Sequence, residues 1–220
     1  MTISHPSLIS SSKGLESIAN AKSPTIVIVG GPAGTGKTTV GEMLTASSNS
    51  AYIEGDQLHP EDNIKKMASG IPLTDDDRWG WLKTVAETSH KLCVKAAAKV
   101  NNDESDSSIY CVASCSALKK VYRETILDKI QEINSQSEIK ARVFFVFLYA
   151  DKQVLIARTS ARKHHFMAST MVNSQFEIMQ VPEGSELLEE GGNSLTVDTE
   201  GKSPEKITVE ILERLHARSI

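Results

Sequence analysis

The sequence predicts an α/β fold, a three-layer α/β/α sandwich around a mainly parallel five-stranded sheet. Three observations carry this expectation. Short apolar runs alternate with longer segments of helical periodicity, the pattern of repeated βα units. The run 143–149, VFFVFLY, shows little polar alternation, as a central strand covered on both faces should. Glycines crowd directly behind the first apolar run, where a strand must turn sharply into a helix.

Taken in order, the strands are expected at 25–29, 51–53, 108–112, 143–149 and, more weakly, 195–197. Amphipathic helices are expected at 37–45, 77–100, 117–133, 152–162 and 204–217. The serine-rich stretch 1–23 has few large apolar residues and no periodicity, so it reads as a disordered leader. The polar cluster 101–108 reads as a loop. With 220 residues and 40% hydrophobic content, 24–220 suffices for one good core and reads as a single domain.

Composition narrows the partners. A net charge of −4 supplies no general basic field for a nucleic-acid backbone, so no nucleic acid is expected. Three cysteines, Cys93, Cys111 and Cys115, form no CxxC pair, which fits reduced thiols in a cytoplasmic protein. The longest apolar run is far short of the roughly 20 residues a bilayer span requires, so no membrane partner is expected.

Behind the first strand stands Gly31-Pro32-Ala33-Gly34-Thr35-Gly36-Lys37-Thr38, a full GxxxxGK[ST] match. Its glycines let the backbone curl around phosphate without a Cβ in the way. The following helix start offers free N–H groups and the positive end of its dipole to the β- and γ-phosphates of ATP. Lys37 is a mobile point charge for those phosphates, and the Thr38 hydroxyl is placed to ligate Mg²⁺. Thr39 adds a hydroxyl near the α-phosphate. No guanine-reading NKxD occurs, which speaks against a GTPase switch. Asp151, behind the fourth run, is either a Walker B-like acid or the N-cap of the next helix.

Asp56 falls at the carboxyl end of the second strand, the edge where ligands of open α/β sheets bind. A carboxylate there can take the proton of an attacking hydroxyl or hold Mg²⁺ through water. Beside Gly55 it can also simply close a turn.

Beyond the loop, the chain resembles the gluconate kinase family, relatives of shikimate and adenylate kinases. The resemblance rests on GPAGTGKTT at 31–39, GDQLHPEDNIKKMASGIPLTDDDRWGWL at 55–82, CSALKKVYR at 115–123, RKHHFM at 162–167 and SQFEIMQVP at 174–182. These blocks stand in the family's order and run from the first strand to Pro182. His164 departs from the pattern, since relatives usually carry glycine there. The resemblance implies transfer of phosphate from ATP to the 6-hydroxyl of D-gluconate, feeding the pentose phosphate pathway. Another small acceptor such as shikimate, or a non-catalytic nucleotide-binding regulator, remains open on residues alone. By analogy of fold a homodimer is admissible.

A sugar acid needs cations at one end and short-range partners for its hydroxyls. His59, Lys66, Arg78, Lys119 and Arg123 are assigned to it, with Arg78 and Arg123 as the anion-binding arms and His59 as a hydroxyl partner. Arg78 can equally be a counter-ion to Asp75, Asp76 and Asp77, which suit a helix start. Late in the chain, Arg158, Arg162, Lys163, His164 and His165 form a basic cluster. In the related kinases this position is a lid, here roughly 158–170. Arg158 is then assigned to the nucleotide, Arg162 to the transferring phosphoryl group and His165 to the substrate.

Overall fold

The computed structural model describes residues 23–98, 109–161 and 165–218. The expected leader up to Lys22, the 101–108 loop, and Arg162, Lys163 and His164 of the basic cluster lie outside the described residues.

Five strands form one parallel sheet: β1 (Thr25–Gly30), β2 (Ala51–Glu54), β3 (Ile109–Ser114), β4 (Arg142–Tyr149) and β5 (Ser194–Asp198), in the order β2-β3-β1-β4-β5. The first strand lies at the centre, with Ile26 opposite Cys111 on one side and Val143 on the other. The helices are α1 (Lys37–Ser48), α2 (Glu61–Ala68), α3 (Asp76–Ala97), α4 (Lys120–Gln136), α5 (Lys152–Ser160), α6 (His165–Ile178) and α7 (Pro204–His216).

Alternation along β1 builds the three layers. Ile26 and Ile28 face α3 and α4, in a core with Leu82, Val85, Ile126, Ile130 and Phe145. Val27 and Val29 face α1 and α7, in a second core with Val40, Leu44, Val146, Ile207 and Ile211. All four β1 side chains are fully buried, each contributing about 1.5–3 kcal/mol through lost apolar exposure. A strand buried on both faces positions the loop that follows it rigidly.

The expected sheet is present in full, but two helices escape the sequence pattern. One is α2, whose eight residues bury only Asn63 and are too few for helical periodicity to stand out. The other is α6, which continues beyond the expected lid to Ile178. The fourth helix also starts three residues later than expected. Its approach, 115–119, is held as a loop in which Ala117 takes a positive φ of 40° and Lys119 is extended.

Candidate active site

The phosphate loop joins β1 to α1 at the carboxyl edge of the sheet. Gly31 has φ 122° and a Cβ there would strike the Leu148 carbonyl, so the loop's first turn lies flat against β4. Its N–H donates to the Ser116 carbonyl at 2.9 Å, tying the loop to the strand on the other side as well. The buried Thr35 hydroxyl and the Lys37 ammonium both donate to the Pro32 carbonyl, at 2.8 and 3.2 Å. Thr38 and Thr39 are exposed at the start of α1.

Facing Thr38 is a carboxylate that the sequence reading passed over. Glu54, the last residue of β2, accepts the Thr38 hydroxyl on Oε2 at 2.9 Å and the Tyr52 hydroxyl on the same oxygen at 3.0 Å. Its Oε1 accepts the hydroxyl of Ser114. Metal duty had been expected of Asp56; the acid against the Thr38 hydroxyl is its neighbour two residues earlier. The usable signal was position alone, since Glu54 ends the strand whose extension carries Asp56.

Asp56 follows in a 3₁₀ turn, Gly55–Leu58, and is exposed. That turn is fixed in place. A Cβ at Gly55 would collide with the Ser114 carbonyl, and the Gly55 carbonyl accepts the Trp81 indole N–H at 2.8 Å. Asp56, Glu54 and Lys37 all act on the buried Cys115 thiol, which burial above all raises to about 12. That thiol stays protonated and inert.

On the acceptor side, His59 stacks on Trp81 with ring centroids 4.0 Å apart, and its Nδ1 lies 3.3 Å from the Asn63 amide. Burial lowers its pKa, with Asp56 opposing and Arg78 adding to the fall. The three aspartates at the start of α3 divide their work. Asp77 accepts from Lys66 at 2.5 Å and from the Thr74 N–H at 2.6 Å, which hold it down at about 2. Asp75 accepts Lys119 at 2.7 Å and the Tyr122 hydroxyl at 2.5 Å, which likewise lower its pKa. The Trp79 indole donates to Asp76 at 3.3 Å.

Arg78 is placed differently. Its guanidinium donates to the Leu73 and Thr74 carbonyls at 2.6 and 3.1 Å and lies 5.7 Å over the Tyr122 ring. Among Lys66, Arg78, Lys119 and Arg123, it alone meets no carboxylate of the described residues within 4.0 Å. It therefore makes no direct ion pair with the aspartates beside it.

Arg123 requires a correction. Only 1% exposed, it donates from Nε and Nη2 to the two oxygens of Glu186 at 2.9 and 3.1 Å. Its Nη1 donates to the Ala117 and Gln180 carbonyls at 3.1 and 2.9 Å. A fully engaged, buried guanidinium cannot serve as a second anion-binding arm. It fixes the strained Ala117 turn that presents Lys119 and clips the segment after α6 to α4.

Arg158 points its fork at Thr199, donating to the hydroxyl at 2.9 Å and the carbonyl at 2.8 Å, which ties α5 to the loop after β5. Asp151 accepts the Gln153 N–H at 2.7 Å and is the N-cap of α5. His165 opens α6; Arg162 lies outside the described residues.

Against known proteins, no family model matches the chain. It is 41% identical to a probable gluconokinase of Saccharomyces cerevisiae over 72% of this chain and 75% of that protein. A probable gluconokinase of Schizosaccharomyces pombe is 39% identical over 73% of this chain and 75% of its own length. The chain belongs to the gluconokinase family. The fold agrees, since the crystal structure of a gluconokinase from Sinorhizobium meliloti superposes with a TM-score of 0.64 at 31% identity, covering 91% of this chain and all of that one.

Proposed function

We propose that this protein transfers the γ-phosphoryl group of ATP to the 6-hydroxyl of D-gluconate, giving 6-phospho-D-gluconate and ADP. The observation that carries the reading is the Thr38–Glu54 hydrogen bond, which joins the phosphate loop to the strand end that continues into Asp56, His59 and the segment bearing Arg78. ATP lies with its phosphates on 34–39, where backbone N–H groups and Lys37 take the negative charge. The oxygen donor set of Thr38 and Glu54 fits Mg²⁺, which prefers hard oxygen ligands. Bound there, Mg²⁺ would neutralise charge on the phosphate oxygens.

Gluconate places its carboxylate against the Arg78 guanidinium, with Lys119 and Tyr122 beside it. His59, kept neutral by burial, hydrogen-bonds a hydroxyl. Asp56 orients the 6-hydroxyl and accepts its proton as the hydroxyl oxygen bonds to the γ-phosphorus. The bond from that phosphorus to the β-phosphate bridging oxygen breaks, and ADP leaves. Lid cations, Arg162 among them, complete the charge neutralisation and exclude water.

A coupled ADP-release assay over an acceptor panel tests the proposal. Gluconate should be turned over far faster than other aldonates, aldoses or shikimate. Equal rates with shikimate, or no release above the acceptor-free rate, would remove gluconate as substrate.

A further inference from the structure

Beyond the residues that face phosphate or sugar acid, one side chain from a distant helix reaches the phosphate loop. The Ala33 N–H donates to the Gln175 Oε1 at 2.7 Å, across 142 positions of sequence. We propose that Gln175 is a positioning residue that holds the phosphate loop in its nucleotide-binding shape and couples it to α6, the helix that continues out of the expected lid. The inference rests on the nucleotide-binding half of the functional reading.

The loop splits into two halves. Its first half is tied to protein: Gly31 donates to Ser116, the Pro32 carbonyl accepts Thr35 and Lys37, and Ala33 donates to Gln175. Its second half, from Gly34 to Gly36, donates no backbone hydrogen bond to the described residues. Ala33 is the hinge between them, half-buried, and leaving its N–H without an acceptor would cost the desolvation of that group. No backbone carbonyl serves it. The acceptor comes from α6.

Packing supports the same link. Ala33 joins Val172 and Phe176 of α6 and Leu155 of α5 in a small apolar cluster separate from the two main cores. Gly34 lies so close to Leu155 and the Thr159 methyl that a Cβ would press on both. Gln175 is thus the polar member of an apolar contact through which α6 seats against the loop. A neutral amide suits the place, because it accepts a hydrogen bond without setting negative charge beside a triphosphate, as a carboxylate would.

The test compares Gln175→Met, which keeps the volume and removes the acceptor, with Gln175→Glu, which keeps an acceptor and adds charge. Mg·ATP and Mg·ADP affinities are measured by calorimetry without sugar acid, alongside kcat, both KM values and Tm. Gln175→Met should bind nucleotide about 5- to 10-fold more weakly, the effect of one buried hydrogen bond. Its kcat should fall while KM for gluconate holds, and the loss should not depend on salt. Gln175→Glu should also bind nucleotide more weakly, but the defect should shrink as ionic strength rises. Wild-type nucleotide affinity in Gln175→Met, whether or not Tm falls, would overturn the proposal. So would a defect confined to KM for gluconate. Because binding is read without the sugar acid, failure of gluconate as substrate would leave this result standing.

Discussion

The two walls of the site are built by different means. The proposed nucleotide wall, 31–39, is fixed chiefly through backbone: glycine at positive φ, a strand buried on both faces, and the Pro32 carbonyl that receives Thr35 and Lys37. The proposed acceptor wall, 56–78 with 117–123, is fixed by side chains paired with one another, Lys66 with Asp77, Lys119 with Asp75 and Arg123 with Glu186. A backbone-built site depends on few residue identities and tolerates little change in them. One built on ion pairs leaves the choice of binding cation to whichever one the internal carboxylates do not claim.

The difference can be probed by substitution. Lys37→Met should produce the largest effect, a fall of about 10³-fold or more in kcat, since the point charge on the transferring phosphates is lost. Next comes a contrast on the acceptor wall. Arg78→Met should raise KM for gluconate about 10- to 100-fold, the loss of charge-assisted hydrogen bonds, and leave KM for ATP near its wild-type value. Arg123→Met should instead cost about 3 kcal/mol of stability, read as a lower Tm, because it strands Glu186 and two carbonyls in a buried place. If Arg123→Met lost gluconate affinity at unchanged Tm, the two arginines would have been assigned the wrong way round.

Glu54→Gln bears on the seam between the walls. It should raise the Mg²⁺ concentration for half-maximal rate by about tenfold, the usual scale for a residue that orients a metal ligand. The smallest effect concerns pH. Burial holds the folded pKa of His59 below its ordinary value of 6.5. The stability it contributes is therefore complete above 6.5 and declines as pH falls below that value, where the unfolded chain takes up the proton first. Tm measured between pH 7.5 and 5.5 should fall more steeply for the wild type than for His59→Asn.

How much of this could be read from the sequence followed the same division. All five strands and the phosphate loop were legible, because apolar runs and GxxxxGK[ST] state their structural requirement locally. Asp56 was legible as a strand-end acid. Glu54 was not, since an acid at the end of a strand carries no mark until Thr38 and Ser114 are seen to donate to it. Arg123 was misread because its partner, Glu186, lies 63 positions away, and nothing local says that a helical arginine is buried. Gln175 escaped for the same reason. The helix that carries it has no strong apolar stripe, and its hydrogen bond joins segments that only the fold brings together.

We propose that Asp56 activates the acceptor while the phosphate loop supplies most of the nucleotide affinity. The most direct test is Asp56→Asn, assayed at saturating Mg·ATP and gluconate with nucleotide affinity measured on the same preparation. The account predicts a kcat lower by about 10²-fold or more, with a much smaller change in ATP affinity. A near-normal kcat would contradict it.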